Sequence, residues 1–443
     1  MVDLLDEPDQ VNARRVLIVG HYTSERAGGE GSIPLRLFGC LRARGVEAWL
    51  LTHVSARAEL AELLPTADLD RVIFAQGLPG FGPVHTRGKR LPTGLRTIAW
   101  GITQFERQIA MVPVVRRLVR ELAIDVVHQP ISVSPVVPSP LTRLGAPVVM
   151  GPLSGSIELP PGFAARDSPL CALLKAVRPA SARAMNMVVR GRLKADVLLV
   201  QNDWTRSLLP RSVRENSIQH SPIGVVLDSW PMPDQPPIMP SGATRGGPAR
   251  FLFLGRLVRW KAVDILLDSF ALVNEKIPAQ LEIVGDGPER ARLEAQAARL
   301  GVGQKVVFRG WLDPEDCARR MGECDIFVSA ALQEAGGIAV LEAMACGRPV
   351  IVSAWGGHLL TVDDTVGILV DVSSHAVLVR GLADAMVRLA DDPGLRFRLG
   401  AGGRRRVATQ YDWNVLADRT LQIYSAVGAS RTVSRQQPQV GSA

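Results

Sequence analysis

Short apolar runs alternate with amphipathic segments along most of this 443-residue chain. The apolar run at 14–20 ends in glycine and predicts a buried strand, and an amphipathic helix is predicted at 33–45, after a glycine-rich loop. Similar strand and helix patterns follow one another up to about residue 225. Strands that are apolar on both faces and alternate with helices are typical of parallel sheets, so the pattern predicts an α/β fold.

The alternation is interrupted once and then restarts. Pro, Gly and Ser are concentrated after residue 225, and the next apolar strand pattern begins at about residue 251. Such a composition favours neither helix nor strand, so it predicts a linker between two α/β domains. The predicted divisions are a first domain at 1–225, a linker at 226–249, a second domain at 250–410, a C-terminal helix at 411–428 and a disordered polar tail at 429–443.

Composition places the chain among ordinary globular proteins, with 47% hydrophobic and 21% charged residues. The five cysteines are far apart and lack a CxxC spacing, which argues against a disulfide framework and a structural zinc site. The N-terminus is acidic and without an apolar core, and no apolar run reaches about 18 residues, the length that a membrane span needs. We therefore expect a cytoplasmic protein without a membrane span.

Basic residues give the chain a net charge of +8 and are clustered in its first half. Aromatic residues make up only 5% of the chain and are not interleaved with these clusters, so a nucleic-acid platform is not expected. Two interpretations stay open. The clusters are solvated helix faces, or they make a peripheral contact with an anionic membrane surface, at the inner face of the membrane.

Two glutamates eight positions apart, Glu334 and Glu342, lie between two predicted strands, so they belong to a βαβ unit. Gly336 and Gly337 disfavour helix, and an Ala-rich helix is predicted from Ile338 onward. The free amides and roughly half a positive charge at a helix start can hold a diphosphate. Glu334 would face this ligand from the loop, and Glu342 could accept two hydroxyl hydrogen bonds, as a ribose offers.

Two cations follow the first strand of the second domain. Arg256 and Lys261 are expected at the carboxyl end of that strand, where ligands bind to parallel sheets. A guanidinium fork and a compact ammonium together suit a diphosphate. Gly285 lies in a turn after the next strand, where Arg290 replaces the third glycine of a dinucleotide fingerprint. A tight turn explains Gly285 best, although a backbone close to a ligand would also require glycine.

In the first half, His128 ends a predicted strand and would place an imidazole at the carboxyl edge of the first sheet. A structural histidine and a ligand contact are equally good interpretations. Asp68 and Asp70 resemble a metal-binding DxD spacing, but they precede a strand and lack further ligands nearby in the sequence. They predict a solvated loop, and we expect no metal site.

With these residues assembled, the C-terminal half closely resembles the retaining nucleotide-sugar glycosyltransferases of glycosyltransferase family 4, which have the GT-B fold. The resemblance is strong over about 251–424, including the segments "FLFLGRLVRWKAVDILLDSF" and "DIFVSAALQEAGGIAVLEAMACGRPVI", and weak in the first half, through "AGG" and "DVVHQP". It implies two Rossmann-like doubly wound domains that face each other across a cleft. The C-terminal helix would return to the first domain.

The resemblance also implies roles for individual residues. Arg256 and Lys261 match the diphosphate-binding pair, Glu334 the residue on the donor sugar, Glu342 the residue on the ribose, and Gly336, Gly337 and Ile338 the backbone donors at the helix start. Gly28 and Gly29 match a glycine loop of the first domain beside the donor, and His128 matches a histidine near the reacting sugar. Ala262 and Gly336 depart from the family's usual glycine and phenylalanine, changes expected to alter packing more than chemistry.

The implied function is retaining, metal-independent transfer of a sugar from a nucleotide-diphosphate sugar to a hydroxyl of an acceptor. The acceptor is a glycan, a lipid-linked glycan or a small molecule, and no cofactor is expected. A nucleotide-sugar epimerase and a non-catalytic nucleotide-sugar-binding subunit are the alternatives. A phosphorylase would need a pyridoxal lysine site, and the spacing of the glutamates favours a transferase.

Overall fold

The protein was analysed as a computed structural model, which describes residues 15–26, 29–81, 93–131, 134–135, 137–155, 157–166, 184–215, 217–221, 223–230, 232 and 247–436. The chain forms two compact units. The first contains Met1–Ser156, Ser168–Ile223 and Leu416–Ala443, and the second contains Ile157–Asp167 and Gly224–Val415. Each unit is built around its own parallel sheet, which confirms the predicted α/β class.

The first unit contains a sheet of seven described strands in the order β3-β2-β1-β4-β5-β6-β7. Its strands are β1 (Arg15–Gly20), β2 (Glu47–His53), β3 (Val72–Ala75), β4 (Val126–Gln129), β5 (Val148–Leu153), β6 (Val197–Val200) and β7 (Ser217–Gln219). All neighbouring strands pair in parallel. The direction of strand progression reverses between β1 and β4, and such a switch point is where doubly wound sheets bind ligands.

The second unit repeats this plan with six described strands in the order β10-β9-β8-β11-β12-β13. Its strands are β8 (Ala249–Leu254), β9 (Ala279–Val284), β10 (Val306–Gly310), β11 (Ile326–Ser329), β12 (Val350–Ser353) and β13 (Gly367–Val370). These ladders are also parallel. The switch point lies between β8 and β11, so the carboxyl ends of these two strands are adjacent.

Helices connect the strands and cover the sheets. In the first unit they are α1 (Gly29–Ala43), α2 (Arg57–Leu63), α3 (Thr66–Leu69), α4 (Thr93–Glu121), α5 (Asp203–Ser207) and α6 (Arg211–Arg214). The second unit contains α7 (Val263–Lys276), α8 (Arg290–Arg299), α9 (Pro314–Glu323), α10 (Ile338–Ala345), α11 (His358–Thr361), α12 (His375–Asp391) and α13 (Pro393–Arg406). The last described helix, α14 (Trp413–Gln436), begins in the second unit and continues into the first. Among the described helices, none is long and apolar enough to cross a bilayer.

The strands are central in both cores because their side chains are apolar on both faces. β4, β5, β6, β11 and β12 are buried at every position. In the second unit, α7 and α12 pack beside each other on the sheet and contribute Leu266, Phe270, Leu382 and Met386 to the core. Continuous apolar strands with helical cover are what the sequence pattern predicted.

The predicted linker and the predicted tail compare differently with the structure. The predicted linker at 226–249 lies mostly outside the described residues. α14 continues to Gln436, beyond residue 429 where a disordered tail was predicted. Residues 429–436 are mostly polar, but they include no Pro or Gly, so this segment can extend an existing helix.

A segment of the first half of the chain packs within the second unit, which the division at residue 225 did not anticipate. Phe163, in the 3₁₀ helix Pro161–Arg166, is only 3% exposed and belongs to the core of the second unit. Arg166 donates two hydrogen bonds to the carboxylate of Asp264, at 3.2 and 2.7 Å. Gln333 Nε2 donates to the carbonyl of Ile157 at 3.0 Å. We call residues 157–166 the docked segment.

We expect Phe163→Ala to destabilise the second unit by about 3 kcal/mol, because it leaves a cavity where an aromatic ring was buried. Hydrogen exchange of peptides from the second unit, with and without urea, measures this loss. Phe397→Ala is the matched control, since Phe397 is 48% exposed in the same unit. Equal protection in the two variants would contradict the packing of the docked segment.

Candidate functional site

The predicted βαβ unit is present, and it places a glycine-rich loop at the carboxyl end of β11. β11 and β12 pair in parallel, and α10 connects them. Gly337 precedes α10 with φ of 68°, a left-handed conformation that other residues adopt only at a cost. A side chain at Gly337 would also come within 3.4 Å of the His358 ring. The helix therefore begins at Ile338, as predicted, with Gly336 and Gly337 buried and Ile338 partly exposed at its start.

Lys261 and Glu334 form an ion pair at the switch point of the second sheet. Lys261 ends the 3₁₀ helix Arg259–Lys261 that follows β8, and its Nζ contacts Glu334 Oε2. The other carboxylate oxygen, Oε1, accepts a hydrogen bond from the amide of Gly337 at 3.2 Å. Because β8 and β11 are neighbouring strands, residues 73 positions apart meet here.

The carboxyl of Glu334 is held in its ionised form. Burial alone would raise its pKa, but the positive charge of Lys261 and the hydrogen bond from Gly337 lower it further than burial raises it. The net pKa lies below the ordinary value. A charged acceptor with four lone-pair sites therefore lies beside the free amides of a helix start.

The pKa of Glu342 is shifted in the opposite direction, upward. Glu342 lies on α10 and is partly buried, and its carboxyl group makes no hydrogen bond or ion pair with a described residue. Burial raises its pKa from 4.5 to about 7, against a smaller lowering by Lys261. The site thus holds two carboxyls of different character: Glu334 is ionised, and Glu342 is about half protonated near pH 7.

Arg256 and Gly285 follow the neighbouring strands β8 and β9, and their local environments differ. Arg256 is exposed directly after Gly255, at the carboxyl end of β8, and its guanidinium has no hydrogen bond or ion pair to a described residue. Gly285 has φ of 127°, and a Cβ there would come within 2.0 Å of the carbonyl of Gly255. Its amide donates to the carbonyl of Gly310 at 2.8 Å. Close backbone packing therefore requires glycine at position 285, which agrees with the tight turn favoured by the sequence.

His358 is a neighbour of the site that the sequence analysis missed. It follows the "WGG" sequence after β12, is fully buried, and its Nδ1 lies 3.1 Å from both the hydroxyl and the carbonyl oxygen of Ser353. Burial lowers its pKa, so the ring is neutral. The only sequence signal was a histidine after two glycines at the end of a strand. That signal depends on knowing that β12 lies beside β11.

His128 is held inside the first unit by two hydrogen bonds, and its predicted contact with the reacting sugar stays a prediction. Its Nε2 donates to the carbonyl of Gly151 at 2.7 Å, and its Nδ1 accepts from the hydroxyl of Tyr424 at 2.5 Å. The side chain is buried, and burial lowers its pKa to about 4. Both ring nitrogens are occupied because the aromatic ring of α14 packs on the end of β4. Tyr424, 296 residues away, gave no signal at the level of sequence.

The glycine loop of the first unit is only partly described. Gly28 lies outside the described residues, and Gly29 is exposed at the start of α1. The loop just before it is held by Glu59, whose carboxylate accepts from the amides of Glu25 and Arg26 at 2.7 and 3.0 Å and from the Ser24 hydroxyl. The predicted position of this loop beside a donor stays a prediction.

Metal ligands were not expected from the sequence. In the described part of the chain, no group of three His, Cys, Asp or Glu side chains is arranged to hold a metal ion. That the reaction needs no metal stays a prediction.

Solved structures identify the fold class. The sucrose-phosphate synthase of Thermosynechococcus elongatus superposes with a TM-score of 0.65 at 22% identity, over 94% of this chain and 100% of that one. This likeness and the two parallel sheets confirm the GT-B fold class. The sequence of the second unit is similar to a known family. Residues 234–406 match the model of the family described as Glycosyl transferases group 1.

Curated relatives match about two fifths of the chain. The GDP-mannose-dependent monoacylated alpha-(1-6)-phosphatidylinositol monomannoside mannosyltransferase of Corynebacterium glutamicum is 36% identical over 178 residues, which cover 38% of this chain and 45% of that protein. The D-inositol 3-phosphate glycosyltransferase of Salinispora arenicola is 33% identical over 189 residues, covering 40% and 41%. The chain therefore spans less than half the length of these two relatives.

The raised pKa of Glu342 predicts a pH-dependent stability. An acid with a raised pKa in the folded state stabilises the fold fully below pH 4.5, and the contribution is lost as the pH rises to about 7. Glu342→Gln keeps the neutral shape, so we expect it to be more stable than the wild type at pH 8 by on the order of 2 kcal/mol, and equal to it near pH 4.5. Urea unfolding at both pH values measures the difference.

The control is Glu275→Gln, because Glu275 is an exposed helix residue of the same unit. It should not change the pH dependence. If Glu342→Gln raised the free energy of unfolding equally at both pH values, the assignment of this carboxyl as the titrating group would be contradicted.

Proposed function

We propose that the protein is a retaining glycosyltransferase that moves a sugar from a nucleotide-diphosphate sugar to an acceptor hydroxyl without a metal ion. The single observation that carries the proposal is the Lys261–Glu334 pair at the start of α10. A lysine, a helix start and an ionised carboxylate on one rim suit a ligand that has both a diphosphate and sugar hydroxyls. The match of this unit to the group 1 glycosyl transferases supports the same activity.

In this proposal the donor lies across the carboxyl ends of β8 and β11. Arg256 and Lys261 bind the diphosphate, together with the amides of Gly337 and Ile338. Glu334, which is ionised, accepts hydrogen bonds from hydroxyls of the donor sugar. Glu342 accepts from the two ribose hydroxyls, for which it must be ionised, so donor binding near neutral pH releases a proton from it.

The proposed mechanism follows from these charges. When the anomeric C–O bond breaks, the bonding electrons go to the diphosphate, which leaves with an added negative charge. Lys261, Arg256 and the helix start stabilise this charge, a contribution worth several kcal/mol in buried sites of this kind. The acceptor oxygen attacks from the same face, and its proton goes to the leaving phosphate. The anomeric configuration is then retained.

The test is turnover with a panel of donors, beginning with GDP-mannose because that donor is named for the Corynebacterium glutamicum relative. Reactions contain EDTA, and the anomeric configuration of the product is read by NMR. We expect retention, and a loss in kcat of about 100-fold or more in Lys261→Met. Lys276→Met is the matched control, since Lys276 forms an exposed ion pair with Asp384 in the same unit.

Several outcomes would contradict this proposal. An inverted product excludes the retaining mechanism, and activity lost in EDTA excludes metal independence. Binding without turnover on any acceptor would support a non-catalytic subunit. Epimerised nucleotide sugar formed without acceptor would support an epimerase. Normal turnover in Lys261→Met would remove the assigned site.

A further inference from the structure

The docked segment lies along the carboxyl edge of the second sheet. Four of the residues that it contacts follow the carboxyl ends of strands, and they are Asp264 after β8, Gln333 after β11, Trp355 after β12 and Ser373 after β13. These four strands are consecutive in the sheet. The docked segment therefore borders the edge at which the ion pair of the candidate site lies.

The loop that carries Glu334 needs support from its surroundings. Residues 330–337 lie between β11 and α10 without regular secondary structure, and this loop ends in the adjacent glycines Gly336 and Gly337. Glycine widens the range of backbone conformations, and ordering such a backbone costs entropy. Contacts made by the rest of the loop therefore decide where the Glu334 carboxylate lies.

Two backbone hydrogen bonds tie this loop to its neighbours on the sheet. The amide of Leu332 donates to the carbonyl of Trp260, after β8, at 2.8 Å. On the other side, the carbonyl of Glu334 accepts from the amide of Gly357, after β12, at 2.7 Å. The position of Glu334 thus depends on the loop after β12 as well as on its own loop.

The docked segment holds both of these loops. The side chain of Gln333, directly before Glu334, donates to the carbonyl of Ile157 at 3.0 Å. The indole N–H of Trp355 donates to the carbonyl of Glu158 at 2.8 Å. Two adjacent carbonyls of the docked segment therefore accept from the loop after β11 and from the loop after β12.

The side chain of Ile157 packs into the same place. A Cβ at Gly356 would come within 2.7 Å of the carbonyl oxygen of Glu334 and within 3.1 Å of Ile157 Cγ2. Ile157, the backbone of Gly356 and the backbone of Glu334 therefore meet in close packing. A change in the docked segment has a short physical path to the Glu334 backbone.

We propose that the docked segment positions Glu334 for the donor sugar, with Gln333 and Trp355 as the positioning residues. Neither side chain is assigned a contact with the donor, because both act through the backbone of the loop. Displacing a group at a reacting centre by about 1 Å costs on the order of 100-fold in rate, so such support matters. This inference rests on the proposed function, because it takes Glu334 as the residue on the donor sugar.

The test is titration calorimetry of the full chain with GDP and GDP-mannose, and with UDP and UDP-glucose. Gln333→Leu removes the amide that donates to Ile157, and Trp355→Phe removes the indole N–H but keeps an aromatic ring. We expect each change to weaken binding of the sugar nucleotide about 5- to 10-fold, since one carbonyl of the docked segment loses its donor. Binding of the nucleoside diphosphate should change by less than about twofold, because Glu334 is assigned to the sugar.

A double-mutant cycle separates positioning from a general structural role. In the Glu334→Ala background, adding Gln333→Leu should not weaken binding of the sugar nucleotide further, because the carboxylate that it positions is gone. Gln280→Leu is the matched control, since Gln280 is an exposed glutamine at the amino end of β9, and it should bind all four nucleotides as the wild type does. Additive losses in the cycle, or equal losses for sugar nucleotide and nucleoside diphosphate, would overturn the proposal.

Hydrogen exchange of the ligand-free chain tests the support of the loop without any donor. Gln333→Leu and Trp355→Phe should each speed exchange in the peptide that covers 330–338 and leave that of β9 unchanged. Unchanged exchange of the loop in both variants would contradict the proposal. If the wild type bound none of the four nucleotides, the proposed function would be contradicted, and the exchange data would still decide whether the docked segment holds the loop.

Discussion

The site in the second unit depends on one interaction, the contact of Lys261 with Glu334 at the switch point of a parallel sheet. Its geometry follows from the fold. β8 and β11 are neighbours, so the loops that follow them meet, although they are far apart in the sequence. Gly337 completes the arrangement because its left-handed backbone lets α10 begin within reach of the Glu334 carboxylate. A buried acid is thereby kept ionised, with its charge next to the amides of a helix start.

The carboxyls of Glu334 and Glu342 differ in how the free protein accommodates their burial. In the second unit, Glu334 is paired, whereas burial raises the pKa of Glu342 to about 7, so that it takes up a proton as the pH falls through neutrality. A ligand that brings hydroxyls to Glu342 would offset the cost of burying this carboxyl, which is how binding energy becomes selective.

Sequence reasoning found what local patterns encode. The alternation of apolar runs and helices predicted both parallel sheets, and glycines before an Ala-rich run predicted the start of α10. It did not find the docked segment, because Phe163 looks like any loop aromatic until its partner core is known. The role of His128 was equally ambiguous, because its ring is hydrogen-bonded to Tyr424 on a helix that is distant in the sequence. Long-range partners of this kind leave no periodic trace in a single sequence.

The most direct test of the account is the affinity of nucleoside diphosphate compared with nucleoside monophosphate, measured by calorimetry for the wild type and Lys261→Met. If Lys261 binds the second phosphate, the wild type should prefer the diphosphate by about 10-fold or more, and the variant should lose most of that preference. A preference that is the same in both proteins would mean that Lys261 serves only to hold Glu334, and it would contradict the account.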